Sequence, residues 1–209
     1  MSVLKNFARI NPSVLFKPGQ KIRTISPSKT IMAEAIVEET FDKTAGVYDI
    51  SQFIGTLSLF EDPDIAFGDD MFTIRGGNSE LKYTYTAENM IVTPPDGDIK
   101  IPSVEAVVKV TSDVLEDAIK AANLLGLTEI TFVAENGTIS VAATDSRNPT
   151  SNQFKTEIAT GVNCSDFKMG IKKDNVRLLP ADYDVTLSKS GMAHFKADKV
   201  QYWIAVESV

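Results

Sequence analysis

Few side chains in this sequence of 209 residues could do chemistry, and fewer stand where chemistry needs them. His194 is the single histidine and Cys164 the single cysteine, so no cysteine metal cluster and no intrachain disulfide can be assembled. Acid pairs occur at Glu38-Glu39, Asp62/Asp64 and Asp69-Asp70. They fall in loops or at strand ends, without the convergent partners that a hydrolase or a cation site requires. There is no Gly-x-Gly-x-x-Gly, Walker loop, His-Glu-x-x-His or Cys-x-x-Cys. Gly76-Gly77-Asn78 reads as a turn between strands, because a phosphate loop should open a helix. His194 alternates with Ala193 and Phe195, which predicts an exposed strand residue, and no nucleophile elbow accompanies it. The expectation is a protein that is not an enzyme and needs no cofactor or metal.

What the spacing does support is recognition by charge. Lys5 and Arg9 stand four residues apart on a helical segment, away from the apolar Val3, Phe7 and Ile10. Lys120 lies off the apolar stripe of another helix, and Lys172, Lys173 and Arg177 lie off that of a third. Cations on exposed helix faces are common, and Glu116 and Asp117 share the segment with Lys120. The whole chain has the opposite sign, with 28 acidic against 21 basic residues and a net charge of −7. That balance excludes wrapping nucleic acid over the entire surface and leaves room for a local basic stripe.

The elements that must position these residues follow from periodicity. Hydrophobic content of 43% is enough for a packed core. No long apolar leader or stretch of about 18 apolar residues occurs, so the expectation is a soluble intracellular protein with no membrane association. The first helix should stop at Asn11-Pro12. A second should start at Asp49 and bury Ile50, Phe53, Ile54, Leu57 and Phe60. A third should run from Thr111-Ser112-Asp113 to Gly126, burying Val114, Leu115, Ala118, Ile119, Ala122 and Leu125. A brief fourth is expected over Lys172–Leu179, stopped by Pro180. Strands follow each helix, including a hairpin turned by Asn136-Gly137. The fold class is therefore α+β: two similar units built of antiparallel sheet, with short helices on one face. The boundaries are 1–92, a Pro/Gly-rich connector at 93–103, and 104–209.

Several stretches together resemble a known family. Leu4-Lys5-Asn6-Phe7-Ala8-Arg9-Ile10-Asn11 is similar to the first helix of the sliding clamps of T-even-like bacteriophages. Val47-Tyr48-Asp49-Ile50-Ser51-Gln52-Phe53-Ile54-Gly55-Thr56-Leu57-Ser58-Leu59 is similar to their second helix and its lead-in. The connector, the entry to the third helix, the Asn-Gly hairpin and Gln201-Tyr202-Trp203-Ile204-Ala205-Val206-Glu207 match in order and spacing. The resemblance spans essentially the whole chain. The chain departs from the pattern in its short start and in the acids beside Lys120.

The resemblance implies a DNA polymerase processivity factor with the clamp fold, forming a homotrimeric ring like those of the proliferating-cell-nuclear-antigen type. Helices would line a hole through which double-stranded DNA threads without sequence readout. The DNA-facing candidates are then Lys5, Arg9, Lys120, Asn123, Lys172, Lys173 and Arg177. A partner-peptide pocket carried over by position comprises Ile25, Ile31, Ile91, Val92, Met192, Trp203 and Ile204. Implied partners are the DNA polymerase C-terminal tail, an ATP-dependent clamp loader, and a late-transcription sigma-like factor with its co-activator. The implied location is the cytoplasm of the infected bacterial host. Subunits would join through edge strands, Leu81–Thr86 of one against Gln153–Thr160 of the next. The alternative is a β-rich virion or tail protein with no DNA-related role.

Overall fold

In the computed structural model, which describes residues 1–148 and 150–208, helix α1 (Ser2–Ala8) ends at Arg9, just ahead of Pro12. The chain forms two units, Met1–Asp96 and Gly97–Val209.

In the first unit, β1 (Val14–Phe16) pairs with β4 (Ala45–Val47), and β2 (Gly19–Ile25) with β3 (Ile31–Phe41), both antiparallel. Helix α2 (Ile50–Leu57) follows, capped by the Asp49 carboxylate, which accepts from the Gln52 N–H at 2.9 Å. At seven and eight residues neither helix would persist alone. They are held by packing on each other through buried Phe7, Ile50, Phe53 and Leu57. Phe60, expected on the α2 stripe, lies beyond the helix end and is only half-buried. Next come β5 (Asp64–Phe67), β6 (Met71–Gly76) and β7 (Ser79–Thr84), an antiparallel sheet with β7 at its edge. Phe72 is the hub of the core, with rings of Tyr85, Phe67 and Phe53 at 4.6, 4.9 and 5.0 Å.

In the second unit, β8 (Val104–Val110) leads into α3 (Ser112–Leu125). Thr111 caps its start and Gly126 its end, the latter at φ +67°. Strands β9 (Glu129–Glu135) and β10 (Thr138–Thr144) form the expected hairpin, with Asn136 and Gly137 both left-handed. β11 (Phe154–Ala159) pairs on β10, and β12 (Phe167–Lys172) on β9, with β16 (Glu207–Ser208) beyond β12. This sheet has β11 at one edge. β13 (Tyr183–Ser188) pairs with β8 and with β14 (Met192–Lys196), which pairs with β15 (Val200–Ala205). Helix α3 lies on β9, β10 and β11 through Leu115, Ala118 and Ala122, the alanines allowing close approach. Leu125, expected in that stripe, is exposed, and Leu127 past the Gly126 turn is buried instead.

The fourth helix is a correction. Residues through Lys172 are taken by β12, leaving a single 3₁₀ turn at Lys173–Asn175. Beyond it, Leu179 is fixed by two buried tyrosines: its N–H donates to Tyr202 Oη at 3.1 Å, and Tyr183 Oη donates to its carbonyl at 2.6 Å. A segment anchored by strand pairing before and side chains after has too few residues left to nucleate an α-helix. Burial raises the Tyr183 hydroxyl pKa far above its usual range, so it remains a donor.

Candidate nucleic-acid interface and partner surface

Cations expected to face phosphate differ in how much of their charge is already balanced. Lys5 sits in the last turn of α1 and Arg9 caps it; both are exposed, and no ion pair within 4.0 Å is found for either among the described residues. On α3, Lys120 is exposed but lies 3.6 Å from both Glu116 and Asp117. Asn123 is exposed on the same helix. Lys172 pairs with Glu207 at 3.2 Å, and Arg177 Nε donates to the Asp174 carbonyl at 2.7 Å. Lys173 and Arg177 are half-buried. With the fourth helix absent, Lys172 ends a strand, Lys173 opens the 3₁₀ turn and Arg177 lies in the irregular segment past it, none of them on a helical face. The segment Val176–Ala181 nonetheless lies along α3, sharing a small cleft with Leu115, Glu116 and Ile119.

The pocket positions divide between the units. In the first, Ile31 and Ile91 are buried, Ile25 is half-buried, and Val92 is 44% exposed. Their arrangement depends on a residue that spacing did not single out. Asn11, itself buried, donates from Nδ2 to the carbonyls of Ile25 at 3.0 Å and Val92 at 3.1 Å. Its Oδ1 accepts from the Ser13 N–H and hydroxyl, both at 3.0 Å. A neighbouring set of charges ties the start of the connector to this unit. Arg23 Nη1 donates to the Pro95 carbonyl at 2.9 Å, Lys17 pairs with Asp96 at 2.9 Å, and Glu34 holds Lys21 and Arg23 at 3.1 and 3.2 Å. At the connector's other end, the Lys189 N–H donates to the Ser103 carbonyl at 3.3 Å within the second unit.

In the second unit, Met192 is half-buried, Trp203 is 8% exposed, and Ile204 is wholly buried. Trp203 and Ile204 are consecutive on β15 and therefore point to opposite faces. Ile204 registers with buried Ala193 in the core, whereas Trp203 registers with His194. His194 is thus no simple exposed strand residue. Its ring stacks on the Trp203 indole at 4.7 Å with planes 14° apart, and its Nε2 lies 2.9 Å from Gln201 Oε1. Burial lowers its pKa, the Gln201 hydrogen bond opposing and nearby Lys196 assisting.

Two antiparallel α+β units, each with a short-helix layer, define the DNA-clamp fold, and solved clamps share it. PCNA from Thermococcus kodakaraensis matches with a TM-score of 0.71 at 15% identity, over 99% of this chain and 95% of that one. A. fulgidus PCNA, solved with the C-terminal region of FEN-1 bound, gives 0.74 at 13%, over 100% and 94%. The Helicobacter pylori beta clamp gives 0.73 at 14%, over 98% of this chain and 62% of that longer one.

The sequence then narrows the class. Residues 1–93 match the DNA polymerase processivity factor family, and residues 107–208 match the C-terminal part of the gp45 sliding clamp. The sliding clamp of Vibrio phage KVP40 is 26% identical over 215 residues, covering 100% of this chain and 97% of that protein. That of Enterobacteria phage T4 is 26% identical over 218 residues, covering 99% and 94%. The chain belongs to the phage sliding-clamp family of DNA polymerase processivity factors, which are non-enzymatic.

Proposed function

We propose that three copies of this chain close into a ring around duplex DNA and tether the replicative DNA polymerase to its template. The carrying observation is the match to two successive clamp models along nearly the whole chain, on a fold with an edge strand available in each unit, β7 in the first and β11 in the second. Retention on DNA is topological, so attraction can be weak and independent of sequence. Lys5 and Arg9 supply the least compensated charge for it. Lys120, Asn123, Lys172, Lys173 and Arg177 add polar contacts whose field is reduced by Glu116, Asp117 and Glu207.

Partner peptides with apolar anchors engage Ile25 and Val92 on the first unit, and Met192 and Trp203 are the apolar candidates on the second. Ile31, Ile91 and Ile204 support them from the core. Occupants of that surface are the polymerase C-terminal tail, the ATP-dependent clamp loader, and the late-transcription sigma-like factor with its co-activator. The setting is the cytoplasm of the infected host. Sedimentation equilibrium tests the assembly: three chains of 22.8 kDa give about 68 kDa. Primer extension by the cognate polymerase on a primed circle tests the function. A persistent monomer, or product lengths that do not change on adding the chain with its loader, overturns the reading.

A further inference from the structure

We infer that Lys82 and Glu157 face each other across the joint between two copies of this chain and set the register in which β7 of one pairs with β11 of the next. The inference rests on the ring assembly proposed above and adds to it a residue pair that selects the alignment.

Both strands end their sheets, so each presents a row of unpaired backbone groups. Both sheets are antiparallel throughout, and an antiparallel joint continues them. The two-residue turn at Gly77-Asn78 closes with Gly76 opposite Ser79. Alternation from that pair leaves the backbone groups of Glu80, Lys82 and Thr84 facing away from β6. The same alternation from the Asn136-Gly137 turn, carried across β10, leaves those of Lys155 and Glu157 facing outward.

Side chains impose a second condition. Leu81 and Tyr83 on β7, and Thr156 and Ile158 on β11, are the half-covered residues, while Lys82 and Glu157 are exposed. Setting Lys82 opposite Glu157 places Tyr83 opposite Thr156 and Leu81 opposite Ile158, so the apolar rows share a face. It also aligns the outward-facing backbone groups. A slip of two residues one way keeps the faces matched but sets Lys82 against Lys155 and Glu80 against Glu157. The opposite slip leaves Lys82 against Ala159 and Glu157 against Thr84. Like charges directly opposite are destabilising, so one alignment is favoured over its neighbours.

The third condition is availability. Glu80 is held by Arg75 at 2.7 Å and Lys155 by Glu135 at 3.0 Å. Among the described residues, no ion pair within 4.0 Å is found for Lys82 or Glu157. Each edge also has an uncovered apolar side chain at or just past the end of the helix packed beside it. Leu59 (73% exposed) follows α2, whose Phe53 and Gln52 hold Tyr83 at 5.1 and 3.2 Å; Leu124 (86% exposed) stands in the last turn of α3, which lies on β11. A second copy is the occupant that offers the complementary edge, the opposite charge and apolar cover together.

The test is a charge exchange read by sedimentation equilibrium at low salt, where screening is weakest. Lys82→Glu and Glu157→Lys, each alone, should weaken subunit association by about tenfold per interface, while the double exchange should return it to within about threefold of the parent. Both residues are exposed, and an unchanged far-UV circular dichroism spectrum shows that each variant folds. An assembled parent whose single variants associate equally well overturns the pairing and leaves the ring reading standing. So does a double exchange no tighter than the weaker single variant. A parent that stays monomeric at all concentrations overturns both.

Discussion

The imidazole of His194 lies flat on the indole of Trp203, centroids 4.7 Å apart, with its Nε2 directed to Gln201. A stacked, hydrogen-bonded ring fixes the rotamer of the one tryptophan in the chain, on the face of β15 turned away from Ile204. The Trp203 Nε1 is buried and has no hydrogen-bond partner among the described residues. Packing against His194 therefore carries the placement that a hydrogen bond would otherwise supply.

Stability should fall as the pH drops below the ordinary histidine value of 6.5. Burial depresses the folded-state pKa of His194, so between the unfolded and folded values the unfolded chain binds a proton that the folded chain does not. The stabilisation is present above 6.5 and is lost as the pH falls through the folded pKa. Thermal melts from pH 8 to 5, followed by Trp203 fluorescence, should show the slope in the parent and a smaller one in His194→Gln. Equal slopes would remove His194 from the account.

Asn11→Ala should cost about 2 kcal/mol of folding stability, since it removes a buried side chain that makes four hydrogen bonds, to the Ile25 and Val92 carbonyls and to the Ser13 N–H and hydroxyl. Urea titration measures the loss. The same variant should weaken binding of an apolar-anchored polymerase peptide, because the backbones at Ile25 and Val92 are no longer joined. Fluorescence anisotropy of a labelled peptide reads that second effect.

Reversing Lys5 and Arg9 together should shorten polymerase products several-fold more than reversing Lys120, whose field is already opposed by two acids at 3.6 Å. Both differences should shrink as salt rises. Primer extension over a salt series checks the order. A Lys120 reversal as severe as the Lys5/Arg9 pair would contradict the ranking.

Gly126→Ala should destabilise by about 1 kcal/mol through backbone conformation alone. The residue sits at φ +67° and a Cβ there would meet nothing within 4 Å. Gly126→Asn should recover part of the loss, because Asn tolerates this region. Chemical denaturation of the two variants separates strain from crowding.

Much of this fold could be read from local signals that agree with one another. Asp49, Thr111 and Gly126 cap helices as their types suggest, and Asn136-Gly137 turns its hairpin. The failures share a cause: a distant partner decided the outcome. Residues 172–179 have helical spacing, but pairing of Lys172 with Glu129 and the tyrosine bonds to Leu179 hold them otherwise. Asn11 looked like a helix stop, and nothing near it in sequence shows that it reaches Val92, 81 residues away. The cations could be counted from the sequence, but the pairing of Lys172 with Glu207 depends on the chain leaving β15 after Ala205 and pairing again, as β16, with the distant β12.

The edge strands β7 and β11 are unlike. A joint that always sets one kind against the other gives the assembly a direction, as a one-way clasp gives one to a bracelet. Its two faces then differ, and a partner that grips one of them inherits an orientation along the duplex. Leading and trailing sides would be written into the strand order of a single chain, before any partner arrives.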